Sequence, residues 1–408
     1  MSSMAKQRQF DYESLYSRLV PAPAARSYGE RVPYDFAVGH PDPDSFPVEE
    51  LIASTHSVML REGKDLARYP GNVGYDGLRQ VIVDKLQQEE GLAVSLREIV
   101  ITNGSMQAIN MVAQTFIDPG DMVMTEDFTY LGALRLFERY GPRIMGIPMD
   151  EQGIRTDALE DSLQRMSREG MRPKFIYVIV NYQNPVGVCL SLERRRELLR
   201  LAESYKFAIL EDDSYGDLRY EGEFIPSLYS LSQSDLVMRV GTLSKIVAAG
   251  VRLGWLMAPE RIMPRLLTAK IDGGTNSFAS RVAAEYLKEH LEHHVQELIG
   301  IYRHKRDTML KALEEHFSGT ATWTHPSGGF YIWLQMPQGI DTMQMLEEAR
   351  KAGVSYIPGP LFSPSRSGAN CLRLSFAYMS TEDIPEGIRR LAEAMRQAKP
   401  IAAVSRVN

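Results

Sequence analysis

Between Pro47 and Met257 the apolar positions of this chain switch back and forth between two periods. Residues 47–62 and 76–90 repeat them at helical spacing. The glycine-rich stretch Arg68-Tyr69-Pro70-Gly71-Asn72-Val73-Gly74-Tyr75 joins these two. Short apolar runs then alternate with amphipathic stretches. Strands are expected at 98–102, 121–125, 143–148, 174–180, 207–211, 236–240 and 251–257. Helices are expected from Gly104 to about Phe116, and over 130–140, 156–167 and 191–206. The run Lys174-Phe175-Ile176-Tyr177-Val178-Ile179-Val180 is apolar without alternation, as in a strand covered on both faces. Strands and helices in this order predict an α/β fold, a mostly parallel sheet of the seven-stranded type with helices on both faces.

The pattern changes after residue 258. Residues 259–316 read as helix with a glycine-serine break near 272–280, and strands are expected at 327–334 and 371–376 with helices over 341–352 and 381–397. This is a smaller α+β part, expected to be antiparallel. Before Pro47 the chain is irregular: a short amphipathic helix over 12–19, a Pro/Ala/Arg-rich extended arm, and a short strand at 36–38 running into a proline-punctuated loop. The division expected is an N-terminal arm over 1–45 that joins the small domain, a large domain over 46–300 and a small C-terminal domain over 301–408.

Composition narrows the function more than the fold. Lys+Arg number 46 against 52 Asp+Glu, a net charge of −6, which carries no footprint of nucleic-acid or anionic-membrane binding. The two cysteines, Cys189 and Cys371, make no disulfide framework and have no partner at metal-ligand spacing. There is no signal core and no run of bilayer length, so a cytoplasmic protein is expected. His290, His293 and His294 share one helix face, read as a solvated surface rather than a metal site.

The densest chemistry lies in Gly241-Thr242-Leu243-Ser244-Lys245-Ile246-Val247-Ala248-Ala249-Gly250-Val251-Arg252. One lysine stands among small, hydroxylic and apolar residues, where desolvation lowers an amine's pKa and makes it nucleophilic. Thr242, Ser244 and Arg252 beside it suit a phosphate. An amine next to a phosphate site points to a Schiff base with pyridoxal phosphate. In an open parallel sheet, ligands bind at the carboxyl ends of the strands. Asn184, Asp212, Tyr215 and Lys245 all fall there, with Ser105 at a helix start and Tyr130 opening another helix. A buried carboxylate such as Asp212 keeps a pyridine nitrogen protonated. Its neighbour Asp213 is one residue out of register, and the spacing to Tyr215 favours Asp212. Arg373 interrupts an apolar strand and suits a substrate carboxylate.

Taken together these motifs resemble the fold-type I, class I/II pyridoxal-phosphate-dependent aminotransferases, in the branch of 2-aminoadipate and kynurenine aminotransferases and the catalytic domains of MocR-type regulators. The carrying residues are Tyr69 with Gly74, Gly104-Ser105-Met106-Gln107, Tyr130, Asn184-Pro185-Val186-Gly187, Glu211-Asp212-Asp213-Ser214-Tyr215, Ser244-Lys245 through Arg252, and Arg373. The resemblance implies that Lys245 is the Schiff-base lysine and proton-transfer catalyst. It implies that Asp212 meets the ring nitrogen, Tyr215 and Asn184 the ring oxygen, and Tyr130 the ring face. Ser105, Met106, Thr242, Ser244 and Arg252 would hold the phosphate, with Tyr69 reaching the site of a partner subunit in a homodimer with shared active sites. Gly39, Asn184 and Arg373 would hold the substrate carboxylate, and Arg26 in the arm an acidic side chain. The branch usually has glutamine at the position of Met106 and often proline at that of Ser214.

The reaction expected is transfer of an amino group from an L-amino acid to a 2-oxo acid, 2-oxoglutarate in most of this family, by a ping-pong course. The same cofactor site also serves decarboxylases, C–S lyases, cyclases and oxidases of this fold, and formation of pyridoxamine phosphate tells them apart. A regulator that only senses the cofactor would need a DNA-binding segment, and fewer than 40 residues precede Gly39.

Overall fold

A computed structural model of the protein describes residues 10–17 and 32–398. In the first stretch Glu13–Leu15 make one 3-10 turn, shorter than the helix expected over 12–19, whose last residues lie outside the described ones. A three-residue segment with no side-chain cap cannot offset the cost of nucleating an α-helix.

Residues 32–398 start with β1 (Tyr34–Asp35), which pairs in parallel with β13 (Val354–Ser355). The strand expected at 36–38 is not there. The Asp35 carboxylate accepts from the Ala37 amide at 3.1 Å and turns the chain at Phe36. Helices α1 (Val48–Glu62) and α2 (Asp76–Glu90) follow, then the alternating series: β2 (Ile99–Thr102), α3 (Ser105–Phe116), β3 (Met122–Glu126), α4 (Leu131–Glu138) and β4 (Arg143–Ile147). A hairpin of β5 (Met149–Asp150) and β6 (Gly153–Ile154) leads to α5 (Thr156–Arg168), β7 (Pro173–Ile179), α6 (Leu192–Tyr205), β8 (Ala208–Asp212), α7 (Leu228–Leu231), β9 (Val237–Thr242) and β10 (Gly254–Met257).

Seven of these strands form one sheet in the order β2-β10-β9-β8-β7-β3-β4. Its pairs are parallel except those of β10, which runs antiparallel to both neighbours. The unalternating run of β7 divides by parity. Phe175, Tyr177 and Ile179 pack with α3 and α4 on one face, while Ile176, Val178 and Val180 pack with α5 and α6 on the other. Register sets the site. Ile179 pairs with Asp212 and Asp212 with Val240, so β7, β8 and β9 finish side by side.

The chain continues through α8 (Met263–Leu267) into α9 (Ser277–Phe317), 41 residues without a break. This helix runs straight through residue 300. The second sheet is antiparallel, in the order β11 (Thr322–Trp323), β12 (Tyr331–Gln335), β15 (Cys371–Ser375), β14 (Ile357–Pro358), and carries α10 (Thr342–Lys351) and α11 (Ile384–Gln397). Among the described residues no helix is long and apolar enough to cross a membrane.

Candidate active site

A cavity of about 440 Å³ opens at the carboxyl ends of β7, β8 and β9, and Arg373 and Tyr331 reach it from the second sheet. Gly39, Ser105, Met106, Tyr130, Asn184, Asp212, Tyr215, Thr242, Ser244, Lys245, Arg252 and Arg373 all line it. Tyr69 is 95% exposed and lies outside this cavity of its own chain. Arg26 lies outside the described residues.

Lys245 stands in a turn just past β9, not in a helix. Its Nζ donates to the Gly39 carbonyl at 2.8 Å and sits 5.6 Å from the Tyr215 ring centre and 5.3 Å from that of Phe330. It has no ion pair among the described residues. Burial lowers its pKa, and the Arg373 and Arg252 guanidiniums push the same way, against Tyr331 and Asp212. The amine is thereby biased toward its neutral, nucleophilic form.

Asp212 ends β8 and is buried. Its Oδ2 accepts from the Tyr177 hydroxyl at 2.7 Å, and its Oδ1 from the Ser214 hydroxyl at 2.5 Å and the Ser214 amide at 3.1 Å. Burial raises its pKa, and Asp213 adds to this against those hydrogen bonds. A cationic partner is what such a carboxylate lacks. Asp213 points elsewhere. It takes Asn181 Nδ2 at 2.7 Å and Arg239 Nη2 at 2.5 Å, and Arg239 outweighs burial to hold it below the usual carboxylate range. Geometry therefore assigns the cavity to Asp212.

At the other end α3 begins. Gly104 takes φ 74°, open to glycine, and a Cβ there would fall 2.5 Å from Arg252 Nη2. Arg252 itself is left-handed (φ 54°) after a 3-10 turn at Ala249–Val251, which is why the strand expected at 251–257 starts only at Gly254. The Ser105 and Met106 amides belong to the first helical turn, where N–H groups have no intrahelical acceptor. Thr242 and Ser244 bond to each other at 2.9 Å. Free amides, hydroxyls and a guanidinium around one point form an anion cradle.

Arg373 Nη1 donates to Asn184 Oδ1 at 3.0 Å and Nη2 to the Ala37 carbonyl at 2.6 Å, while its buried Nε has no partner among the described residues. Because Asn184 accepts with its oxygen, its Nδ2 stays available as a donor.

Sequence reasoning missed Tyr177 and Ser214 as holders of Asp212, and Arg135 and His40 as cavity walls, whereas Tyr331, read from the aromatic run Phe330-Tyr331-Ile332-Trp333 as a pocket wall, does line the cavity. The one hydroxyl in the apolar run of β7 was a signal for Tyr177. Leu131, Gly132 and Arg135 share one face of α4, legible as i, i+1, i+4 once the helix is placed. The histidine reading needs correction. His293 is exposed, but His294 is buried with its ring edge to face with Tyr286. Among the described residues no group of His, Cys, Asp or Glu is placed to hold a metal ion.

Residues 33–391 match the family model for aminotransferase class I and II. The chain belongs to this family. This aminotransferase is 39% identical over 364 residues to an aromatic-amino-acid aminotransferase of Thermococcus litoralis, covering 88% of this chain and 87% of that one. It superposes with a TM-score of 0.91, at 36% identity, on the Pyrococcus horikoshii kynurenine aminotransferase solved with pyridoxamine phosphate, covering 95% and 98% of the two chains. The α-aminoadipate aminotransferase of Thermus thermophilus, solved with a phosphopyridoxyl-leucine adduct, gives 0.88 at 30% identity over 95% and 99%. The protein is a pyridoxal-phosphate-dependent aminotransferase. Its cavity fits that cofactor: an anion cradle, a buried carboxylate lacking a cation and an amine without an ion pair share one space.

Proposed function

We propose that the roles follow the placement of these groups, with the Lys245 amine, held only by the Gly39 carbonyl, sharing one cavity with the buried Asp212 as the observation that carries the reading. Ser105, Met106, Thr242, Ser244 and Arg252 hold the cofactor phosphate. Asp212 faces the ring nitrogen, Tyr215 and the Asn184 amide face the ring oxygen, and Tyr130 covers the ring. When bound, pyridoxal phosphate supplies an electron sink for a carbanion at the substrate α-carbon. Arg373 and Gly39 hold the α-carboxylate. Lys245, with its depressed pKa, takes the α-proton from one side and returns it to the cofactor side. Tyr215, the Tyr130 ring and the walls contributed by Ile357 and Phe362 keep water from the reacting atoms.

The amino donor is an L-amino acid and the acceptor 2-oxoglutarate. Names among the relatives span aromatic amino acids, kynurenine and 2-aminoadipate, and support a site that takes both large apolar and acidic side chains. Arg26 remains one candidate for a second carboxylate. Arg135 is another: it lines the cavity and has no hydrogen bond or ion pair among the described residues. The enzyme works in the cytoplasm, in keeping with two unpaired cysteines, as a homodimer in which Tyr69 completes the partner's phosphate site. An arm over 1–45, a large part over 46–300 and a small part over 301–408 share the chain, with α9 common to the last two.

The test is a panel of amino donors against 2-oxoglutarate, run with the unaltered protein and with Lys245→Ala. Lys245→Ala should still bind the cofactor through its phosphate and lose transamination. Near-normal turnover in that variant would overturn the assignment.

A further inference from the structure

Two tyrosine hydroxyls meet inside the cavity. Tyr331 opens β12 and is buried, and its hydroxyl lies 3.0 Å from that of Tyr215, with the rings edge to face at 5.6 Å. The same hydroxyl fills the space where a side chain at residue 39 would begin: a Cβ on Gly39 would fall 2.2 Å from it. The Gly39 carbonyl holds the Lys245 amine, and the Arg373 guanidinium lies 4.2 Å above the Tyr331 ring. Tyr331 thus touches or supports Tyr215, Gly39 and Arg373 at once.

Hydrogen-bond arithmetic decides what it does. A phenol has one proton to give and can accept at its oxygen. If Tyr215 gave its proton to Tyr331, none would remain for an anionic oxygen in the cavity. If Tyr331 gives its proton to Tyr215, the Tyr215 hydroxyl is free to turn into the cavity, and the two bonds polarise one another. We propose that Tyr331 is a positioning residue for Tyr215, donating to the Tyr215 oxygen and so making Tyr215 a directed and stronger donor to the cofactor's ring oxygen. This rests on the cofactor placement proposed above. The local charges favour this direction. Burial opposes ionisation of Tyr331, but Arg373 and Lys245, with a smaller share from the contact with Tyr215 itself, outweigh it and leave that hydroxyl more acidic than usual. Burial, together with Tyr331 itself and Tyr130, pushes Tyr215 well above the ordinary range, against Arg373. The more acidic hydroxyl is the better donor.

The test is a spectroscopic pH titration of the holoenzyme, following the protonation midpoint of the bound cofactor's visible band. A stronger donor stabilises the deprotonated form, with its anionic ring oxygen, and lowers the midpoint. Tyr331→Phe should raise the midpoint by several tenths of a pH unit while the melting temperature stays close to that of the unaltered protein. Tyr215→Phe should raise it further, and adding Tyr331→Phe to that variant should change nothing more. A fluorinated tyrosine at residue 331 keeps the shape, is more acidic, and should lower the midpoint, which covers the case of a phenylalanine variant that does not fold. An unchanged midpoint in Tyr331→Phe, or an equal shift without Tyr215, overturns the proposal and leaves the cofactor assignment standing. Absence of the visible band in the unaltered protein overturns both.

Discussion

Ser214 gives Asp212 two hydrogen bonds, one from its hydroxyl and one from its amide, and a proline in its place would give neither. Hydrogen bonds to a charged acceptor contribute about 1.5–3 kcal/mol each. Ser214→Ala removes one and should weaken cofactor binding roughly ten-fold, the equivalent of about 1.4 kcal/mol. Ser214→Pro should weaken it more. Equilibrium dialysis against pyridoxal phosphate measures this, and equal affinity in all three proteins would show that the turn alone holds the carboxylate. Gly39 offers a second check at this scale. Gly39→Ala places a methyl within 2.2 Å of the Tyr331 hydroxyl, so it should raise KM for the amino donor by displacing the Gly39 carbonyl and the Tyr331 ring beneath Arg373. Combining it with Tyr331→Phe removes the nearest atom and leaves the next at 3.2 Å, so part of the loss should return. The identities of Lys245, Asp212 and Arg373 were legible in the sequence because each is a charged group out of place at the end or middle of an apolar run. Ser214 was seen only as a departure from a family pattern. What it does depends on a turn geometry that has no periodic signal.

At the scale of elements, long periodic segments were legible and short or strained ones were not. The helices α1, α2, α3 and α5 and the run of β7 carry their period over several turns or residues. Strands of two residues, such as β11 and β14, have none. The late start of β10 follows from the left-handed backbone at Arg252, a demand of the anion cradle rather than of the sheet. The end of β3 carries another demand. Glu126 is buried, accepts from Gln183 Nε2 at 3.0 Å and the Ile179 amide at 3.2 Å, and burial with nearby Asp212 raises its pKa to about 8. An unfolded glutamate titrates near about 4.3. Between these values the folded protein holds a proton that the unfolded chain has lost, so the stability tied to Glu126 is full at low pH and falls as pH rises toward about 8. Glu126→Gln keeps an acceptor for the amide and removes the titration. Thermal melts from about pH 5 to about pH 8 should show this variant gaining on the unaltered protein by an amount on the order of a few kcal/mol. A constant difference across that range would mean that Glu126 is already ionised in the fold.

Among the described residues several large apolar side chains are exposed. Ile52, Met59 and Leu60 on α1 are exposed, as are Phe278 at the start of α9, Tyr69 and Ile271, the last two at 95% and 89%. A Cβ on Gly274 would lie 2.7 Å from Pro70, so the loop after Tyr69 packs against the loop that bears Ile271. Exposed apolar side chains of this kind suit a protein partner, and a second copy is the simplest one. Tyr69 makes the proposal sharp, since it is nearly free of its own chain although the phosphate site is expected to need it. Sedimentation should give twice the chain mass, but mass alone does not show that sites are shared. Mixing Lys245→Ala subunits with Tyr69→Ala subunits does. Each homodimer lacks a group in both of its sites. In a mixed dimer one site keeps Lys245 from its own chain and Tyr69 from the Lys245→Ala chain, and the other lacks both. Random pairing makes half of the dimers mixed, so about a quarter of the sites should recover full activity. Self-contained sites would recover none, because every Lys245→Ala site would remain without its amine and every Tyr69→Ala site without its tyrosine.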